Sequence, residues 1–199
     1  MIFSDSKDEW NHIHLEDLWV YNKLYLSRRL GYNCGPSGVT VPYSDFYIIR
    51  PVINLMGMGR FSRIEYIRDV TEHYHPGEFW CEVFEGEHIS VDFYKKESKL
   101  VVRGFRRPEN PLWKWDKWEK IDKKVKFPVI LENLVGSYDW INCEFIGNRL
   151  IEVHFRQNSD FRAGNTVAIP IWDENELLNT NEYNYVRDPD YKRLGFYID

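Results

Sequence analysis

The chain has 199 residues, 43% of them hydrophobic and 17% aromatic, which is enough apolar mass for one substantial core and excludes a disordered segment. Its net charge of −5 supplies no overall field for nucleic acid or an anionic membrane, and no run of about eighteen apolar residues is present to cross a bilayer. Three cysteines, Cys34, Cys81 and Cys143, are odd in number and far apart, which argues against a disulfide framework or a CxxC metal site and predicts a reducing, cytoplasmic setting. The opening MIFSDSKDEWNHIH is charged early and lacks the apolar stretch of a signal peptide.

His14–Leu30 carries Leu15, Leu18, Trp19, Leu26 and Leu30 at helical spacing, predicting an amphipathic helix that stops at Gly31. Asn33–Pro42 reads as a Gly/Pro-rich loop and Phe46–Asn54 as a strand, followed by the glycine-bearing loop Leu55–Gly59. The stretch around Ile64–Val70 fits a short strand or helix. Phe79–Phe84 is apolar, turns at Glu85-Gly86 and runs back as the alternating strand His88–Tyr94, and Leu100–Phe105 is a further strand. Arg106–Lys126 reads as loop and helix. Its segment WKWDKWEKIDKKVK interleaves Trp with Lys, but Asp116, Glu119 and Asp122 cut its field, so a solvated face is expected rather than a nucleic-acid patch. Phe127–Gly136 is expected to be helical, with Pro128 in its first turn. The polar tail Asp173–Asp199, with an acidic helix near Asp173–Leu178, is expected to wrap the surface. Strands and helices follow no βαβ rhythm, so the class is α+β.

The most informative stretch is WINCEFIGNRLIEVHFRQN, Trp140–Asn158. Two strand patterns flank the turn dipeptide Gly147-Asn148, and antiparallel pairing about it brings Glu144 and Glu152 into direct or near-direct register. Period-2 alternation puts Leu150, Glu152, His154 and Arg156 on one face and sends Cys143, next to Glu144, to the other. Two carboxylates that close repel unless a cation lies between them. A divalent metal bridging phosphate oxygens meets that need, and so does an exposed face of Glu–Arg pairs. The Gly57-Met58-Gly59 loop can present N–H groups to phosphate or be an ordinary turn. Arg50 can hold a phosphate or sit in a salt bridge. His73, His75 and His88 lack zinc-ligand spacing, and neither GxSxG nor a Walker A sequence occurs.

Four blocks, in order, resemble the ATP-grasp superfamily, which includes carboxylate–amine ligases: NKLYLSRRLGYNCGPSGVTVP, YIIRPVINLMGMG, FWCEVFEGEHISVDF and the carboxylate hairpin. The resemblance implies two small α+β lobes clamping a nucleotide between antiparallel sheets, within a single domain at 1–172. A nucleotide lobe would span roughly 43–105 and a metal-carboxylate lobe 106–172, with 173–199 as a surface tail. It implies ATP with Mg²⁺ as cofactors, held by Arg50, Gly57, Met58 and Gly59 at the phosphates, by Glu82 and Val83 at adenine and by Glu87 at the ribose. Glu144, Glu152 and His154 would hold the metal, and Arg156 would stabilise the transferred phosphate. The implied function is a ligase that activates a carboxylate as an acylphosphate for attack by an amine or other nucleophile. The alternative is a catalytically inactive nucleotide-binding or protein-interaction module. Two positions depart from the family: Arg50 stands where Lys is usual, and His154 where Asn is usual, which makes Mn²⁺ the more tolerant metal. The implied partners are a small carboxylic acid or peptide acceptor and the nucleotide, with a homodimer mate or protein partner also compatible and neither nucleic acid nor membrane expected. Few residues precede the first block, so acceptor binding is expected from Trp113–Trp118 or a partner.

Overall fold

A computed structural model of the chain describes residues 13–53, 59–68, 74–177, 182–188 and 193–199. Alternating apolar residues build two antiparallel sheets. The smaller joins β1 (Cys34–Pro36), β2 (Asp45–Pro51), β3 (Arg63–Ile67) and β4 (Glu78–Glu82) in the order β1-β4-β2-β3. The larger joins β5 (His88–Tyr94), β6 (Glu97–Phe105), β7 (Lys117–Lys120), β8 (Trp140–Ile146), β9 (Arg149–His154), β10 (Val167–Ile171), β11 (Asn184–Arg187) and β12 (Gly195–Ile198). Their order is β11-β12-β10-β7-β6-β5-β8-β9. The class is α+β, as the sequence predicts, and among the described residues no helix is long and apolar enough to cross a membrane.

One face of the larger sheet carries the main core. Ile89, Val91 and Phe93 of β5 meet Ile141, Cys143 and Phe145 of β8 and Leu150 and Val153 of β9. The N-terminal segment lies on that face through Val20, Tyr21 and Leu26, and Leu131 and Leu134 complete it. A separate cluster of Val41, Tyr47, Ile49, Ile67 and Trp80 gives the smaller sheet its own interior. The intervening residues of the strands, more polar, therefore face the space between the sheets.

Several expectations require correction. The single helix over His14–Leu30 is two pieces, a 3₁₀ segment Leu15–Tyr21 and a short α-helix, α1 (Lys23–Arg29). Asn22 divides them: its extended backbone ends the first, and its side chain accepts from Tyr25 N at 2.9 Å to cap the second. Gly31, at φ +75°, ends α1 as predicted. The strand β1 lies within the expected loop Asn33–Pro42. Phe79–Phe84 and His88–Tyr94 are not a hairpin, because β4 pairs with β1 and β2 while β5 pairs with β6 and β8. The sheets thus divide between Glu82 and His88, and residues 88–105, expected in the nucleotide lobe, share a sheet with the carboxylate hairpin. Arg106–Lys126 contains the strand β7 in place of a helix, and Phe127–Gly136 holds a 3₁₀ segment, Val129–Leu134. The polar C-terminal segment is more than a surface tail, since β12 is buried between β10 and β11. Its acidic helix is one 3₁₀ turn, Glu174–Glu176.

Candidate functional site

A cleft of about 500 Å³ runs between the sheets. Its floor crosses the larger sheet from Glu152 and His154 on β9, through Asn142 and Glu144 on β8 and His88 and Ser90 on β5, to Trp118, Pro170 and Phe196. Ile48 and Arg50 of β2, with Gly59 and Ser62, form the opposing wall. Among the described residues six arginines and four carboxylates line it, a cationic excess inside a chain whose net charge is −5. That charge distribution favours an anionic ligand.

The hairpin delivers its carboxylates through an irregularity. The two-residue turn sets Ile146 opposite Arg149 and Phe145 opposite Leu150, and continuing that register would place Glu144 opposite Ile151. Instead a β-bulge intervenes, and Glu144 pairs directly with Glu152 and Asn142 with His154. Leu150 therefore faces the core rather than sharing a face with Glu152 and His154, which corrects the alternation read from sequence. The bulge also changes the hydrogen bonding of its extra residue, Ile151, whose carbonyl accepts from Arg50 Nη2 at 3.3 Å.

Glu152 is the electrostatic centre. Its Oε2 lies 2.9 Å from Lys23 Nζ and 3.3 Å from Arg50 Nη2, and its Oε1 lies 3.3 Å from His154 Nε2. Burial alone would raise its carboxyl, but Lys23, then His154 and Arg50, outweigh burial and hold it well below the usual carboxylate range. Lys23 is driven the other way: burial outweighs the pull of Glu152 and lowers the ammonium to about 8. Lys23 reaches this point because its own backbone N–H, at the start of α1, donates to Val52 O at 2.9 Å beyond the end of β2. Glu144 takes a different partner, His88 Nε2 at 3.0 Å from its Oε2. Burial raises that carboxyl, but the hydrogen bond from His88 brings it below its ordinary value.

A polar floor supports the pair. Asp92, beneath the cleft, accepts from Asn142 Nδ2 at 2.8 Å and from the backbone N–H of Asn158 at 2.9 and 3.1 Å, and burial raises its carboxyl despite them. Farther along, Arg193 sits between Asp160 at 2.5 Å and Asp188 at 3.1 Å.

Of the residues singled out in the sequence, Arg50, Gly59, Glu144, Glu152, His154 and Arg156 all line this cleft. Gly57 and Met58 lie outside the described residues. Glu82, Val83 and Glu87 are not part of its wall: Glu82 accepts from Asn33 N at 3.0 Å, Val83 is more than a third exposed, and Glu87 pairs with Arg103 at 2.9 Å and Lys123 at 3.3 Å. Sequence reasoning missed Lys23, Asn142 and Asp92, and it dismissed His88. Lys23 sits on a helix more than a hundred positions from Glu152, and only the tertiary fold joins them.

No family model matches the chain, and no curated protein matches it. Solved structures do. A protein from Archaeoglobus fulgidus, provisionally described as an ATP-grasp superfamily member, aligns with a TM-score of 0.47 and 13% identity over 91% of this chain and 63% of its own. The ATP-grasp ligase PsnB, complexed with a minimal precursor, gives 0.44 and 13% over 72% of this chain and 53% of its own. D-alanine–D-alanine ligase from Bacillus anthracis gives 0.39 and 10% over 73% and 59%. This chain is similar to these three, two of which are described as ATP-grasp proteins. It spans less than two thirds of the length of each. The chemistry has to come from the cleft itself.

Proposed function

We propose that the cleft binds ATP with a divalent metal and activates a carboxylic acid by phosphoryl transfer. The observation that carries this reading is the Glu144–Glu152 pair on the cleft face of one sheet, with Arg50 reaching it from the other. Phosphoryl transfer needs little covalent chemistry from a protein and much positioning and charge compensation, which is what such an arrangement supplies.

The carboxylate pair supports a metal bound together with the nucleotide. Among the described residues no three His, Cys, Asp or Glu side chains gather as an all-protein metal cage would require. Magnesium bound with a nucleotide needs only one or two carboxylates, the rest of its shell being phosphate and water. Glu144 and Glu152 match that demand, and His154 acts through Glu152 by holding its second oxygen. Bound there, the metal would neutralise charge on the phosphates during transfer. Arg50 would hold a phosphate from the wall of the smaller sheet, with Gly59 at the turn beside it, and Arg156 would stabilise the oxygens of the transferred group. An acceptor carboxylate oxygen would attack the γ-phosphorus as ADP leaves. An amine or other nucleophile would then displace phosphate from the acylphosphate to give the ligated product.

The test is thermal unfolding with ATP, with and without Mg²⁺ or Mn²⁺, on wild type and Glu144→Gln. A ligand at about a hundred times its dissociation constant stabilises by about 2.7 kcal/mol, an easily read shift. The expected result is a metal-enhanced ATP shift whose metal-dependent part is lost in Glu144→Gln, followed by ADP release when pooled acids and amines are added. No shift with any nucleotide overturns the proposal. The engagement of Glu152 by Lys23, Arg50 and His154 favours one second reading, a nucleotide-binding module without turnover. It predicts an ATP shift indifferent to metal and no ADP with any acid.

A further inference from the structure

The far end of the cleft has a chemistry of its own. Trp113, Trp115, Trp118 and Trp172 all line it. Trp115 and Trp118 lie 4.7 Å apart between ring centroids, Trp113 and Trp172 5.2 Å apart, and Trp172 Nε1 donates to Trp115 O at 2.9 Å, tying the two pairs into one wall. Gly104 on β6 makes room for them: a Cβ there would sit 2.7 Å from Trp115 and 2.9 Å from Trp118. The wall starts beside the carboxylate pair, because His88, bonded to Glu144, packs on Trp115 at 4.6 Å.

Tryptophan faces ordinarily attract cations. Here guanidinium groups already occupy that role, Arg106 at 5.8 Å from the Trp115 ring and Arg60 at 5.5 Å from Trp113. A cationic ligand would be repelled, and a flat apolar group with a negative end would be accepted. Arg106 is equipped for the negative end. One of its nitrogens donates to Asn110 O at 2.9 Å, while its Nε is buried and, among the described residues, has no hydrogen-bond partner. We infer that this tryptophan wall with Arg106 is a binding site for a carboxylic acid bearing a planar apolar group. Its role as the acceptor site rests on the nucleotide reading above, whereas the binding chemistry does not.

The test uses the whole chain without nucleotide, following tryptophan fluorescence and titration heat with 3-phenylpropionate, propionate and the matched cation phenethylamine. The expected result is saturable binding of 3-phenylpropionate, about tenfold or more tighter than the other two, and a loss of about tenfold in Arg106→Gln, as for one hydrogen bond to a charged group. Trp113→Leu, with its fold checked by thermal unfolding, is expected to reduce the preference for the aromatic acid over propionate. Equal binding of phenethylamine, or no saturation by the aromatic acid, overturns the inference. If the acid binds but ATP gives no shift, the site stands and its acceptor role falls. If ATP shifts but the acid fails, this inference falls and the nucleotide reading stands.

A second, independent observation lies in the smaller sheet. Cys34 and Cys81 are direct cross-strand partners on β1 and β4. Glu82 N donates to Asn33 O and Ser37 N to Glu78 O, so the ladder bonds fall on the 33–82 and 37–78 pairs. Alternation then makes 34–81 a non-hydrogen-bonded pair, the type in which Cα atoms stand about 4.5 Å apart and side chains are closest. That lies within the range of about 4.4–6.8 Å that a disulfide spans. We propose that Cys34 and Cys81 form a disulfide when exposed to hydrogen peroxide: both thiols lose their hydrogens, the two sulfurs join, and the peroxide is reduced to two waters. Half-buried Cys34 is the point of entry, and Cys143, fully buried in the core, is the bystander.

Peroxide treatment followed by intact mass and a non-reducing peptide map is expected to show loss of two hydrogens and a Cys34–Cys81 peptide. Dithiothreitol should reverse it and Cys34→Ser should abolish it. Oxidation to sulfinic acid without cross-linking, or a cross-link that involves Cys143, overturns the proposal.

Discussion

Replacing Lys23 with methionine is expected to stabilise the protein, although Lys23 makes the shortest ion pair to Glu152. Burial lowers its ammonium from 10.5 to about 8, outweighing the attraction of Glu152, and Arg50 beside it lowers it further. One pKa unit corresponds to about 1.4 kcal/mol, so the charge at neutral pH costs the folded state about 3 kcal/mol relative to a neutral side chain. Methionine removes that cost, the sense in which whole buried ion pairs replaced by apolar residues of similar volume often stabilise. Leaving a buried charge unpaired would instead destabilise by about 3–5 kcal/mol. Here Arg50 at 3.3 Å and His154 at 3.3 Å still compensate Glu152, so the first effect wins. At about 2–4 °C per kcal/mol for a chain of this size, the melting temperature at neutral pH rises by up to about 6–12 °C. Between about pH 8 and 10.5 the unfolded state binds the Lys23 proton and the folded state does not, so Lys23 makes wild-type stability rise with pH. The Cys81 thiol and the Tyr74 and Tyr138 hydroxyls, all held up at about 12 by burial, act in the opposite sense over the alkaline range. The quantity to measure is therefore the difference between variant and wild type in urea unfolding, where those contributions cancel. The advantage of Lys23→Met should be full below about pH 8 and gone by about pH 10.5. A lower melting temperature at neutral pH, or an advantage that does not shrink with pH, refutes the reasoning.

Three other outcomes are expected. Glu152→Gln leaves Lys23 and Arg50 without their shared carboxylate and should destabilise by about 3–5 kcal/mol in denaturant titration. Because the folded Glu152 titrates far below its ordinary value, its contribution is present above about pH 4.5 and lost as pH falls through the folded pKa, so the variant's acid unfolding should be less steep than wild type's. Gly86→Ala is expected to cost about 1–3 kcal/mol in thermal unfolding. Gly86 has φ +125°, and its Cβ would lie 2.7 Å from Gly147 Cα, wedging the 83–87 connection away from the hairpin turn.

The elements legible in the sequence were those specified by local pattern. The apolar run of β8, the strand pattern of β9 and the turn chemistry of Gly147-Asn148 located the hairpin, and the separation of Glu144 from Cys143 by one position assigned them correctly to cleft and core. The N-terminal helix was misjudged because its spacing of leucines ignored the capping preference of Asn22. The pairing of β4 was not legible at all, since a short gap between two apolar runs suggests a hairpin whether or not the strands share a sheet. β7 was hidden by its lysines, which lie on a strand whose one buried residue is Trp118. At the site, Glu144, Glu152 and Arg50 carried a chemical signal in their own neighbourhoods. Lys23 and Asp92 did not, because each is polar for the sake of a partner far away in the chain.

The bulge at Ile151 gives the site a backbone group as well as side chains. A substitution at position 151 leaves the parity of β9 unchanged, and Glu152 stays across from Glu144. Removing that one residue restores the plain two-residue hairpin with Glu152 still across from Glu144, and what the site loses is the extra carbonyl that accepts from Arg50. A scan of point substitutions would pass over that position as an ordinary hydrophobic residue. A single codon deletion would find it.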